Sequence, residues 1–294
     1  MRADRWLEEN VERLDGKVVA VTGSTGGLGR ELCAHLASLG ASLVLLDRNA
    51  ERSLAHKKEL EERYGVHVTC VRLDLESIPD AERAVGELCG IGIDVFIHNA
   101  GAYSIPRHKC DNGYDNVFTI NFATPYFMIR RLLPHLREKN GRVVAVGSIA
   151  HRYSRTDADD VDFSGREAAS LVYGNAKRYL MFSLFELFRS ERDVSLSVVH
   201  PGITLTNITA HYPKVVFAII KHPMRVIFMS PKKASLCIVA GLFNKTGDCE
   251  WIGPRVLDVW GLPKKRVLRG VSTEERQAIA RAAESVYLRC RNEI

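Results

Sequence analysis

Apolar residues fall in short continuous runs along the first two hundred positions. Each run is followed by a longer segment in which they recur every three or four residues. The runs are 17–22 (KVVAVT), 42–46 (SLVLL), 67–73, 94–98 (DVFIH), 142–146 (RVVAV) and 194–200 (VSLSVVH). They are β-branched and lack the polar alternation of a strand with one wet face. They predict strands buried on both faces of a parallel sheet. Helices are expected from the turn after Thr22 to Leu39, over 51–63 and over 80–88. A long one should reach Glu138 after the fourth strand, and another should begin near Tyr173. Strands alternating with helices imply right-handed crossovers and a doubly wound α/β sheet with helices on both faces.

An amphipathic helix around Trp6, Leu7, Val11 and Leu14 should open the chain. Ser230-Pro231 and Ser272-Thr273-Glu274-Glu275 read as helix starts, so a helical C-terminal extension is expected over 243–294. No repeat, low-complexity tract or linker divides the sequence, and 1–294 reads as a single domain.

In a doubly wound sheet, ligands bind beyond the carboxyl ends of the strands. Directly after the first strand stands Thr22-Gly23-Ser24-Thr25-Gly26-Gly27-Leu28-Gly29, within which the next helix begins. Glycines there allow a tight turn and close backbone approach to a pyrophosphate. The helix N-terminus adds unpaired N–H groups and a positive dipole end. The spacing of Gly23, Gly27 and Gly29, TGxxxGxG, resembles that of the short-chain dehydrogenase/reductase family.

Further motifs follow in the order that family carries them. The resemblance implies a Rossmann fold and a bound NAD(P), cradled by Gly23, Ser24, Thr25, Gly27, Leu28 and Gly29. Asp47, after the second strand, would meet the adenosine ribose; a carboxylate there repels a 2′-phosphate and favours NAD. Gly26, where NADP-preferring members often carry a basic residue, points the same way, while Arg48 points toward NADP; NAD is the favoured reading. Asp74 and Leu75 match the adenine side. His98-Asn99-Ala100-Gly101 resembles the family's NNAG, with His98 in place of Asn and expected to make a strand-end backbone contact. Pro201, Gly202, Ile203 and Thr204 match the motif that holds the nicotinamide end, with Thr206 as a further candidate.

Tyr173-Gly-Asn-Ala-Lys177 places a phenol and an ammonium one helical turn apart on one face. A free phenol ionises near pKa ~10, and a fixed cation beside it would stabilise the phenolate. In the family, this motif moves the substrate's hydroxyl proton, and the lysine also binds the nicotinamide ribose. Ser148 matches the serine that positions the substrate oxygen. Asn121, expected in mid-helix where asparagine is unfavourable, matches the fourth catalytic position. The implied reaction is hydride transfer between the cofactor and an alcohol or carbonyl carbon. Two other classes share parts of the pattern: an epimerase-like enzyme for nucleotide-linked sugars, and a non-enzymatic NAD(P)-binding regulator or scaffold. Too few residues follow Leu242 for the first, and the complete set of four opposes the second.

Composition adds little to the chemistry. Seven scattered cysteines with no CxxC pair give no zinc or disulfide pattern, so no metal is expected and a reducing cytoplasm fits. Met1 to Gly16 lacks an apolar signal core, and no apolar run reaches the ~18 residues of a membrane span. Asp157, Asp159, Asp160 and Asp162 read as a solvated acidic loop. The stretch 160–163 (DVDF) and the long Ser148–Tyr173 spacing resemble retinol dehydrogenase-like members. Residues 209–229 occupy the place of the family's substrate lid and are apolar with interleaved Lys214, Lys221 and Arg225, which fits a lipophilic substrate.

The net charge of +6 is concentrated after position 210, where fifteen Lys and Arg stand against seven Asp and Glu. Such a stretch could also rest peripherally on a membrane surface. No nucleic-acid partner is expected, and a homodimer is compatible with the family.

Overall fold

The computed structural model describes residues 3–204 and 229–294. Apart from Met229, the expected lid at 209–229 lies outside the described residues, as does Thr206. Eight strands form one sheet: β1 (Val18–Thr22), β2 (Ser42–Asp47), β3 (Val68–Arg72), β4 (Val95–His98), β5 (Arg142–Val146), β6 (Ser195–Val199), β7 (Glu250–Val256) and β8 (Trp260–Val267). Their order is β3-β2-β1-β4-β5-β6-β7-β8. The first seven are parallel and β8 returns antiparallel to β7. The order reverses direction between β1 and β4, which opens a crevice at their carboxyl ends.

Successive residues of each strand enter opposite cores, which is why the strands read as unbroken apolar runs. Val19, Val21, Leu43, Leu45 and Ile97 face α1 (Ala3–Asn10), α2 (Gly27–Ser38) and α3 (Ala50–Tyr64). Ala20, Val44, Leu46, Phe96, Val143 and Ala145 face the other side. That side is built from α4 (Ile78–Ile91), α6 (Thr124–Glu138) and α7 (Ala169–Leu187). The caps follow from the sequence. Asn49 accepts from Arg52 N at 2.9 Å and Ser77 from Asp80 N at 3.2 Å, each satisfying a donor that the first helical turn leaves free.

The helix before α6 is not uniform. One α turn, α5 (Asn116–Phe118), leads into a π turn, Thr119–Ala123, and only then into α6. The C-terminal region also departs from an all-helical extension. After α8 (Pro231–Ala234) and α9 (Leu236–Phe243) it adds the β7–β8 hairpin before α10 (Thr273–Arg291). Pro254 and Pro263 stand opposite each other, next to a register shift. Beside an irregularity and on an edge strand, a missing N–H costs no ladder bond, so both prolines are tolerated. The serine cap of α10 is as expected, Ser272 accepting from Glu275 N at 3.2 Å.

Candidate active site

The loop after β1 closes on itself and on β4. Gly23 has φ +67°, and a Cβ there would lie 3.0 Å from the Ala100 Cα. A Cβ on Gly29 would lie 2.1 Å from the Gly23 carbonyl oxygen, so only glycine lets α2 start this close to the loop. Gly27, Leu28 and Gly29 form the first turn of α2, whose backbone N–H groups have no partner within the helix. The result is a cradle with a positive dipole end, suited to an anion.

Thr22 and Asn99 lock the cradle to the end of β4. The Thr22 hydroxyl oxygen accepts from Asn99 N and Ala100 N, both at 3.0 Å. The Asn99 amide donates to the carbonyls of Thr22 (3.0 Å) and Gly23 (3.2 Å). Its own side-chain oxygen is buried with no partner among the described residues, an acceptor that a ligand hydroxyl or amide would satisfy. The residues present therefore fit a dinucleotide. His98 is fully buried and meets the Thr22 hydroxyl at 3.4 Å, so its contact is with a side chain rather than the expected backbone.

At the end of β2 the picture differs from a free ribose-binding carboxylate. Asp47 is buried and accepts from the hydroxyls of Ser24, Thr25 (2.9 Å) and Ser53 (3.3 Å), and from Thr25 N (3.0 Å). These bonds fill a carboxylate's acceptor sites, so Asp47 organises the phosphate loop from beneath. Arg48 is exposed, with Glu76 at 3.8 Å. Asp74 accepts from Glu76 N at 3.1 Å, and the Leu75 carbonyl accepts from the Thr124 hydroxyl at 2.7 Å.

Glu76, His108 and Cys110 bring a carboxylate, an imidazole and a thiol within 4.8 Å of one another. The Asn116 amide nitrogen sits 3.1 Å from His108 Nδ1, which directs the imidazole proton at Nε2 to Glu76, 2.9 Å away. In the structure His108 and Glu76 form a hydrogen-bonded pair.

Asn121, Ser148, Tyr173 and Lys177 converge where β4 and β5 end. The π turn presents the Val117 carbonyl to the Asn121 amide at 2.8 Å; the same amide donates to the Ala102 carbonyl at 2.8 Å, and its oxygen accepts from Ala102 N at 3.3 Å. A Cβ on Gly101 would lie 2.8 Å from the Asn121 oxygen and 3.6 Å from Lys177 Nζ, so this glycine lets the two approach. Lys177 is buried, donates to the Val146 carbonyl at 2.9 Å, and lies 5.8 Å from the Tyr173 ring centre. The phenol interacts with the Ser148 hydroxyl, and Tyr103 stands edge-on to the ring at 5.4 Å.

Burial pushes the Tyr173 phenol up to about 12, against the lowering pull of Ser148. Burial also pushes the Lys177 ammonium down to about 7. Burial, rather than the expected lowering by the lysine, thus sets the direction of the phenol's shift.

Tyr173 is the fifth residue of α7, not its first, because the helix begins at Ala169. Two glycines that the sequence reading passed over bring α7 against the β5 exit. A Cβ on Gly174 would lie 2.4 Å from the Ala150 carbonyl oxygen, and one on Gly147 would lie 2.7 Å from the Met181 sulfur. A glycine inside a helix costs roughly 0.5–1 kcal/mol against alanine, which was the available signal for Gly174; Gly147, outside any helix, carried none. Gly202 has φ +83°, with the Val259 carbonyl 2.8 Å from where a Cβ would be, and Thr204 is buried beside Met229. Pro201 is buried and Ile203 exposed at the same mouth. The acidic loop is not uniformly solvated. Asp162 is buried and accepts from Asp115 N at 2.7 Å, while Asp157 pairs with Arg166 at 2.8 Å.

Comparisons with known proteins agree with this architecture. The model of the short chain dehydrogenase family matches residues 17–158. Human retinol dehydrogenase 14 is 27% identical over 299 residues, covering 88% of this chain and 89% of that protein. Human retinol dehydrogenase 13 is 26% identical over 205 residues, 67% of this chain and 62% of that protein. Among solved structures, an uncharacterized protein from Mycobacterium paratuberculosis superposes with a TM-score of 0.75 at 22% identity, over 95% of this chain and 96% of that one.

Proposed function

Because the chain belongs to the short-chain dehydrogenase/reductase family, whose dehydrogenases act on CH–OH groups, we propose that it interconverts a lipophilic alcohol and its ketone or aldehyde with Tyr173 as general acid/base. The observation that carries this reading is the convergence of Asn121, Ser148, Tyr173 and Lys177 beside Gly101, at the mouth of the glycine cradle. A nicotinamide dinucleotide held there supplies the hydride acceptor or donor. Gly23, Gly27 and Gly29 admit its pyrophosphate, and Pro201, Gly202, Ile203 and Thr204 border the nicotinamide end. Ser148 orients the substrate oxygen and Tyr173 transfers its proton. Lys177 binds the ribose hydroxyls, and Asn121 fixes the backbone at Ala102 that closes the site.

The apolar residues 209–229 favour a lipophilic substrate, in line with the retinol named for two relatives. NAD is favoured on the sequence pattern, where Asp47 and the absence of a basic residue at Gly26 stand against Arg48. Tyr173→Phe is expected to abolish turnover on a panel of secondary alcohols and long-chain ketones while leaving NADH affinity intact. Near-normal turnover in that variant would refute the assignment. Fluorescence titration with NADH and NADPH tests the cofactor preference separately, and tighter NADPH binding would reverse it.

A further inference from the structure

Ser148 is held from behind by an imidazole that the reaction does not consume. It follows β5 and caps a 3-10 turn, Ile149–Arg152, its hydroxyl accepting from Ala150 N at 3.2 Å. The Ser148 carbonyl oxygen takes two bonds from one residue, His151 N at 3.1 Å and His151 Nδ1 at 2.7 Å. A carbonyl can only accept, so Nδ1 carries the imidazole proton and the tautomer is fixed.

The ring has little freedom. It is 1% exposed, with Phe182 of α7 at 6.0 Å and Trp251 of β7 edge-on at 5.5 Å. His200, just past β6, stacks flat on the Trp251 indole at 4.9 Å. The His151 carbonyl accepts from Arg178 at 3.0 Å, and Arg178 is held in turn by Glu275 at 2.8 Å, in the first turn of α10. Burial pushes the His151 imidazole down to about 4, and Arg152 and Arg178 push it the same way, against Asp258 and the Ser148 carbonyl. The ring is therefore neutral, as a fixed hydrogen-bond donor should be.

We propose that His151 is a positioning residue for Ser148, and that the C-terminal extension sets the serine's place through Trp251. The inference rests on the reading of Ser148 given above. Its physical basis is that a displacement of about 1 Å at a group meeting the reacting oxygen can cost ~100-fold in rate. The Nδ1–H bond anchors the backbone of that group. Trp251, which packs on the ring, and Glu275, which holds the Arg178 bonded to the His151 carbonyl, both belong to elements beyond residue 243.

Four variants of the full chain separate the possibilities: Ser148→Ala, His151→Asn, His151→Phe and Trp251→Leu. Asparagine keeps a donor close to the Nδ1 position, whereas phenylalanine fills the volume without one. For each, kcat and KM on a secondary alcohol, NADH affinity and Tm are measured. His151→Phe is expected to lower kcat about tenfold or more with NADH affinity unchanged, and His151→Asn to stay within about threefold of the parent. Trp251→Leu should lower kcat by a smaller factor, again without changing NADH affinity. Near-parental kcat in His151→Phe alongside a large loss in Ser148→Ala overturns the positioning role alone. Equal losses in the Asn and Phe variants, tracking Tm, also overturn it, because the ring would then act only as packing. Near-parental activity in Ser148→Ala refutes the reading of the serine itself.

Discussion

Burial drives Tyr173 and Lys177 toward their neutral forms from opposite sides, to about 12 and about 7. At neutral pH the phenol therefore keeps its proton and stands ready to donate it, which suits carbonyl reduction. Alcohol oxidation needs the phenolate. Initial rates of oxidation should rise with pH between 6 and 9; a flat oxidation profile would remove Tyr173 as the base.

The lysine carries a stability consequence. Its folded value lies below its ordinary value of 10.5. Between about 7 and 10.5 the unfolded chain binds the extra proton, so this residue's contribution to stability rises with pH there, and its full penalty is present below 7. Lys177→Met should accordingly raise Tm at pH 6, with the gain shrinking by pH 10, while turnover is lost. An unchanged or lower Tm at pH 6 would contradict the burial argument.

Two elements owe their shape to side chains rather than to propensity. The π turn at Thr119–Ala123 coincides with Asn121, whose amide takes up the Val117 carbonyl. Such widened turns recur at functional sites, and no hydrophobic period in the sequence announces one. The start of α7 depends on Gly174. An added methyl would lie 2.4 Å from the Ala150 carbonyl oxygen, and backbone cannot give way as a side-chain tip can. Gly174→Ala should thus lower both Tm and kcat, by about 1–3 kcal/mol in stability, because it pushes the Tyr173 turn away from Ser148. Calorimetry and turnover on one preparation would check this, and a neutral or stabilising alanine would show that the gap is not needed.

On the scale of the molecule, the extension completes the core rather than decorating it. Ile279, Ala283, Val286, Tyr287 and Cys290 of α10 are buried in the same cluster as Phe127 and Phe182, and β7 brings Trp251 there fully buried. Deleting 273–294 would expose that surface and break the Arg178–Glu275 contact. Scanning calorimetry should show no cooperative transition for the truncated chain; a transition at the parental Tm would make the extension a separate unit. Among the described residues no helix is long and apolar enough to cross a membrane.

The sequence by itself determined the parallel sheet, its helices and the glycine cradle. These follow from local signals: continuous β-branched runs, turn glycines, serine and asparagine caps. It also put Tyr173 and Lys177 on one helical face, since that needs only the 3.6-residue period. Tertiary structure alone decided three things. The β7–β8 hairpin formed where a helical extension was expected, its prolines tolerated beside a register shift and on an edge strand. Asp47 turned inward, because three hydroxyls on two separate segments found it. The pKa values of the tyrosine and lysine were set by how deeply both are buried, and burial belongs to the packed molecule rather than to any stretch of chain.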